Sequence, residues 1–222
     1  MEYWRLRMSD RRDPHGHQAA LRVGPDVAHA RLAVVSVHGR GASAEDILGL
    51  AAELRLPDVL FVAPQAAGRT WYPFSFLAPM TDNEPGLSSG LARIGTLIDE
   101  LAGEGLPPER IGLLGFSQGA CLALEFTASH ARRYAGIAGL SGGLIGPPGT
   151  PRAYSGTLET TPVFLGCSNV DTHIPLERVH ETARVFRALG AAVDQRIYPD
   201  MDHSVNRDEI DAVRALFGGE RS

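Results

Sequence analysis

A mostly parallel β-sheet with helices on both faces is the fold class that this 222-residue sequence predicts. Three observations carry the prediction. Apolar runs of strand length alternate with segments of helical period from residue 19 onward. Some runs, such as Ala30 to Val37, are apolar almost throughout, as strands covered on both faces require. One run, Ile111 to Phe116, leads into a Gly-x-Ser-x-Gly turn with a helical pattern directly behind it.

Each element follows in order. Gln18 to Val23 reads as a short edge strand and Ala30 to Val37 as a central one. Ser43 opens a helix to about Leu54 with a capping-box pattern, Ser-Ala-Glu-Asp. Val59 to Ala63 is the next strand. A polar, aromatic and proline-containing segment, Pro64 to Gly86, then precedes a helix at about Leu87 to Ala102. Ile111 to Phe116, Gly136 to Leu140 and Val163 to Cys167 are strands, and Gln118 to about His130 is a helix after the first of them. Leu176, Val179, Ala183, Phe186 and Leu189 recur at helical spacing after Pro175. Val193 to Tyr198 makes a last strand, and Val205, Ile210, Val213 and Leu216 mark a last amphipathic helix. No repeat or linker interrupts the pattern, so residues 19–222 are expected to form one domain behind a polar arm, 1–18. The Gly- and Pro-rich stretch between Leu140 and Val163 is too short for a large lid domain.

Charged residues make up 21% and apolar residues 44%, ordinary values for a soluble globular chain. The net charge of −5, without a basic stripe, argues against nucleic acid or an anionic membrane as the main partner. The opening residues lack the apolar core of a signal peptide, and no apolar run is long enough for membrane insertion. Cys121 and Cys167 read as buried single thiols, which fit a reducing cytoplasm better than a disulfide scaffold.

Ser117 is the candidate nucleophile. Gly115 and Gly119 flank it without a Cβ, so strand and helix can close around it and leave its Oγ projecting. The helix that follows aims free N–H groups and a positive dipole end at the place where an oxyanion would form. Gly139-Leu-Ser141-Gly-Gly143 matches the same pattern, but three prolines and no helical period follow, so Ser141 is read as a loop serine at a strand end.

A serine hydroxyl needs a neighbouring base, and the base a carboxylate. In an open parallel sheet both must come from loops at the carboxyl ends of the strands. His203, in the loop between the last strand and the last helix, meets that condition. His15 and His17 fall in the polar arm, where a solvated tail is expected rather than a metal-binding His-x-His. His29 opens a strand, and His130 sits at a helix end whose dipole suits it. His180 reads as a partly buried helix-surface residue, and His173 as a loop-surface residue. The acid is Asp171, in the loop after Val163 to Cys167; Asp200 and Asp202 are too close to His203 in sequence to reach its ring without a contorted turn.

The oxyanion hole is expected to use the N–H of Gln118 and that of Arg40, in the loop Val37-His-Gly-Arg-Gly-Ala-Ser43. Gly39-x-Gly41-x-x-Ala44 also matches a dinucleotide fingerprint, but the next strand ends in Pro64-Gln65 without the required carboxylate. Trp71, Tyr72, Phe74 and Phe76 concentrate four aromatics in one loop and are expected to form a mini-core, a substrate-pocket wall, or both.

With these residues in hand, the chain resembles the phospholipase/carboxylesterase family of α/β-hydrolases, which includes acyl-protein thioesterases and bacterial carboxylesterases. The resemblance rests on His38-Gly-Arg-Gly41, Thr70-Trp-Tyr-Pro73, Gly115-Phe-Ser-Gln-Gly-Ala120, Asp171-Thr-His-Ile-Pro175 and the His203 loop, across residues 30–217. The order Ser117, Asp171, His203 is also the chain order of α/β-hydrolases. The resemblance implies a serine esterase acting on small-molecule esters through that triad, with no cofactor or metal. Arg40 stands where thioesterase members usually carry leucine, which makes the pocket mouth more polar. Dienelactone hydrolases look similar but use a cysteine nucleophile, and position 117 is serine. Thioesterase or lysophospholipase activity, a non-catalytic ligand-binding role, and a homodimer are the alternatives that the sequence leaves open.

Overall fold

Strands apolar along their whole length are stable only when both faces are covered, and that requirement sets the architecture. The computed structural model of the protein describes residues 13–219. Its strands are β1 (Ala20–Val23), β2 (Leu32–Val37), β3 (Val59–Pro64), β4 (Ile111–Phe116), β5 (Ile137–Leu140), β6 (Pro162–Ser168) and β7 (Ala192–Tyr198). Its α-helices are α1 (Ala44–Glu53), α2 (Gly86–Gly103), α3 (Gln118–Ser129), α4 (Leu176–Ala188) and α5 (Arg207–Gly218). The seven strands form one sheet in the order β1-β3-β2-β4-β5-β6-β7. Short β1 lies at the edge and pairs antiparallel with β3; all other neighbours are parallel.

Alternation along the strands divides the core into two layers. Val35, Val62, Leu113 and Leu165 pack against Ile94, Leu97, Ile98, Leu122, Phe126 and Phe186, on the face covered by α2, α3 and α4. Val34, Phe61, Leu114 and Phe164 pack against Ile47, Leu48, Val213 and Phe217, on the face covered by α1 and α5. The capping box expected at Ser43 is formed: the Ser43 side chain accepts from the Asp46 N–H, and Asp46 accepts from the Ser43 N–H at 2.8 Å. Between β5 and β6 the described chain holds no helix, in keeping with the absence of a large lid domain.

One expectation needs correction. Residues 1–12 of the arm lie outside the described residues, but 13–18 are not a solvated tail. His15 is only 1% exposed, because its ring edge meets Trp71 and both ring nitrogens meet backbone groups.

The parallel strands all end on one side of the sheet, which gathers the loops after β2, β4, β6 and β7. The last of these is anchored by a second capping box: Asn206 accepts from the Glu209 N–H, and Glu209 Oε2 accepts from the Asn206 N–H, both at 2.9 Å. The other carboxylate oxygen of fully buried Glu209 has no partner and faces Gly166 of β6. Burial pushes the Glu209 pKa up to about 7, aided by Asp208 and opposed by the Asn206 N–H. A carboxyl whose folded pKa lies above its unfolded value stabilises the fold below the unfolded value and loses that stabilisation as pH rises through the folded one. Glu209→Gln should therefore gain Tm over wild type as pH is raised from 5 to 8 in thermal melts. A Tm difference independent of pH would contradict this reading of Glu209.

Candidate active site

Ser117 sits at the junction of β4 and α3, with φ 55° and ψ −121°. This positive-φ conformation is strained for a residue with a Cβ, and the surrounding structure holds it. The Ser117 N–H continues the β4–β5 ladder by donating to Leu140 O at 2.9 Å, while Ser117 O accepts from the Cys121 N–H at 3.0 Å. The flanking glycines are required by contact. A Cβ on Gly115 would lie 2.5 Å from Gly119 O, and one on Gly119 would strike the carbonyl oxygens of Val37 and His38.

His203 bridges the other two members of the expected constellation. Its Nε2 lies 2.8 Å from Ser117 Oγ and its Nδ1 lies 2.7 Å from Asp171 Oδ2. Because an ionised carboxylate only accepts, Nδ1 carries the proton and donates to Asp171, which leaves Nε2 free to accept from the serine. The Asp171 side chain is fully buried. Burial raises its pKa, but the His203 ring and the N–H groups of His173 and Ile174 outweigh this and hold it below the usual carboxylate range. Those two amides donate to Asp171 Oδ1 at 2.8 and 3.0 Å. Cys167 adds a weak contact, its Sγ lying 3.7 Å from Oδ2.

The remaining histidines and acids fall elsewhere. His173 is exposed as expected, yet its ring packs 4.7 Å from that of His203 and borders a cavity beside Ser117, a contact that nothing in the sequence signals. Asp200 and Asp202 are exposed. Ser141 lies at the end of β5 with no helix behind it, is fully buried, and has no partner for its Oγ. His180 is half-buried against Gln195, and His130 caps α3.

The loop after β2 is shaped by a buried histidine. His38 Nδ1–H donates to Gly39 O at 2.8 Å, and its Nε2 accepts from the Ala66 N–H at 3.1 Å. Burial lowers the His38 pKa, which keeps the ring in this neutral form. Ala42 N–H also donates to Gly39 O, so that carbonyl is turned into the loop. In a planar trans peptide the next N–H, that of Arg40, points the opposite way. The Arg40 side chain reaches across to the aromatic loop, donating to Pro73 O at 3.0 Å and Phe74 O at 2.6 Å. Gln118 ties the same loop to α3: its Oε1 accepts from the Trp71 N–H at 3.0 Å and its Nε2 donates to Tyr72 O at 2.8 Å.

A cavity of about 600 Å³ opens beside Ser117, lined among others by Arg40, Tyr72, Phe74, Phe76, Cys121 and Ile174. Of the four aromatics, Trp71 departs from the expected wall. It is fully buried and absent from the lining, because its indole N–H is drawn inward to His38 O at 2.9 Å and its ring packs between His15 and His38. Tyr72 and Phe76 are buried at the wall, while Phe74 is 57% exposed at the mouth. Phe76 leans on the β5–β6 loop through Gly146 N–H, and Arg178 fixes that loop by donating to Gly146 O at 2.7 Å. Arg178 and the role of His38 escape a reading of the sequence, since Gly146 O lies 32 residues from the first and the Ala66 N–H 28 residues from the second.

Comparison with known proteins identifies the family. The phospholipase/carboxylesterase family model matches residues 19–217. A crystal structure of a phospholipase/carboxylesterase from Dyadobacter fermentans superposes with a TM-score of 0.88 at 41% identity, over 92% of this chain and 98% of that one. Acyl-protein thioesterase 1 of Yarrowia lipolytica is 27% identical over 213 residues, 87% of this chain and 93% of that protein. Acyl-protein thioesterase 1 of Gibberella zeae is 32% identical over 127 residues, so that match spans about half of each chain. The chain belongs to the phospholipase/carboxylesterase family of α/β-hydrolases, whose members are named as esterases and thioesterases.

Proposed function

We propose that the protein is a serine esterase that hydrolyses short-to-medium acyl esters through an acyl-enzyme. The observation that carries this reading is the single imidazole of His203 within hydrogen-bond distance of both Ser117 Oγ and Asp171. Ser117 Oγ attacks the acyl carbon as His203 Nε2 takes its proton, and Asp171 holds the ring and balances its new charge. The N–H groups of Arg40 and Gln118 receive the tetrahedral oxyanion; one such donor is worth about 3 kcal/mol of barrier. His203 then protonates the departing alcohol, and a water activated by the same nitrogen releases the acid. None of these steps requires a cofactor.

The leaving group must lie near His203 Nε2 to receive its proton, which directs the acyl chain toward Tyr72, Phe76 and Cys121. Cys121 comes four residues after Ser117, about 6 Å along the helix axis, so a buried floor stands below the nucleophile. A floor at that distance, closing a cavity of about 600 Å³, supports the preference for short-to-medium chains. Thioester hydrolysis uses the same groups and is the second reading, favoured by the names of the fungal relatives. A cytoplasmic location is supported by the two cysteines, both buried free thiols; among the described residues no helix is long and apolar enough to cross a membrane.

Turnover across a ladder of nitrophenyl esters and matched thioesters, with Ser117→Ala as the blank, tests the proposal. The expected result is a maximum at short-to-medium oxygen esters and no turnover in the blank. Wild-type turnover by Ser117→Ala would remove the serine mechanism, and a maximum at long chains or thioesters would transfer the assignment to the second reading. Arg40→Leu probes the pocket mouth. Because the guanidinium holds two loop carbonyls, its loss should raise KM several-fold for neutral and anionic esters alike. A rise confined to anionic esters would instead make Arg40 a substrate-charge contact.

A further inference from the structure

The family match begins at residue 19, yet the segment just before it is bonded to the backbone of the loop whose next residues, from Tyr72 on, line the substrate cavity. We propose that His15 is a positioning residue for that cavity, a strap that fixes the inner half of the aromatic loop and so sets substrate fit; the proposal rests on the reading that esters bind beside Ser117.

The strap is held at several points. The His15 N–H donates to Ser89 Oγ at 2.9 Å, and Ser89 Oγ donates to Asp13 Oδ1 at 2.5 Å, which fastens the segment to α2. The ring then reaches the aromatic loop. Nε2–H donates to Trp71 O at 2.9 Å, and Nδ1 accepts from the Ala67 N–H at 3.1 Å. Burial lowers the pKa of the ring, so it stays neutral and Nδ1 stays able to accept. Across the indole, His38 accepts from the Ala66 N–H. Two neutral histidines thus grip consecutive amides and enclose Trp71 between rings, each with a centroid separation of 5.1 Å.

The consequence for substrate lies in the position of residue 71. Its carbonyl is held by His15 and its N–H by Gln118, from the helix that starts behind Ser117. Both sides of the Trp71 backbone are therefore fixed, and the next residue, Tyr72, is wall. Arg40 and Asn83 hold only the outer half, at residues 73–75. Removing the imidazole leaves the buried Trp71 C=O and the part-buried Ala67 N–H without their partner, a cost that the loop relieves by moving. A wall displaced by about 1 Å is enough to lose a large factor in substrate fit without touching the reacting groups.

The test compares His15→Ala, His15→Asn and His15→Gln with wild type, using Tm and the KM and kcat of the ester ladder. Asn retains an acceptor near Nδ1 and Gln a donor near Nε2. The expected result is a KM on the order of tenfold higher in the Ala variant with a smaller change in kcat, a flattened acyl-length preference, and intermediate values for Asn and Gln. A folded Ala variant with wild-type KM and acyl profile overturns the proposal, as do Asn and Gln variants no closer to wild type than Ala. If the Ala variant does not fold, Asn and Gln decide alone: raised KM supports the strap, and wild-type KM in both rejects it. These ratios are read against wild-type turnover, so they are separate from the Ser117→Ala outcome, which bears on the reaction itself.

Discussion

Helix α3 crosses β4 so closely that no side chain fits at Gly115 or Gly119, and Ser117 inherits its backbone strain from that crossing. Gly119 lies against the carbonyls of Val37 and His38, so the same contact brings the end of β2 to the start of α3. Serine, helix N-terminus and the loop that supplies Arg40 are thereby fixed relative to one another before any side chain of the site is considered. The parallel ladders of β4 with β2 and β5 hold the geometry in register, Val37 opposite Gly115 and Phe116 opposite Leu140.

Around this crossing, polar ties fix loops whose apolar side chains, among them Trp71, Tyr72, Phe76 and Leu144, also pack into the core. His38 and Gln118 bind backbone groups of the aromatic loop, and Arg178 binds the loop that supports Phe76. Each tie satisfies a buried amide or carbonyl that the loops cannot pair among themselves. Such bonds have narrow geometric tolerance, so the loops beside Ser117 are held in one arrangement. The mouth, at exposed Arg40, Phe74 and His173, is left to the solvent.

The elements are legible in the sequence because strand and helix periods are local. The predicted boundaries fall within about two residues of those observed, and Ser117, Asp171 and His203 can be grouped because their chemistry and loop positions are both readable. What stays hidden depends on backbone partners far along the chain. His15, within Asp-Pro-His-Gly-His, carries no apolar context, and its partners lie 52 and 56 residues away. Trp71 resembles a pocket residue because nothing in its neighbourhood announces that two histidines will enclose it. Glu209 looks like an ordinary capping residue; only the closeness of Gly166 leaves its second oxygen buried and unpaired.

The central claim is that Ser117 becomes covalently acylated. The most direct measurement is peptide mass spectrometry after quenching the wild-type enzyme during turnover of an activated ester. One acyl adduct is predicted, on the peptide containing Ser117. Turnover without any adduct under conditions where release of the acid limits the rate, or an adduct at Ser141 in its place, would contradict it.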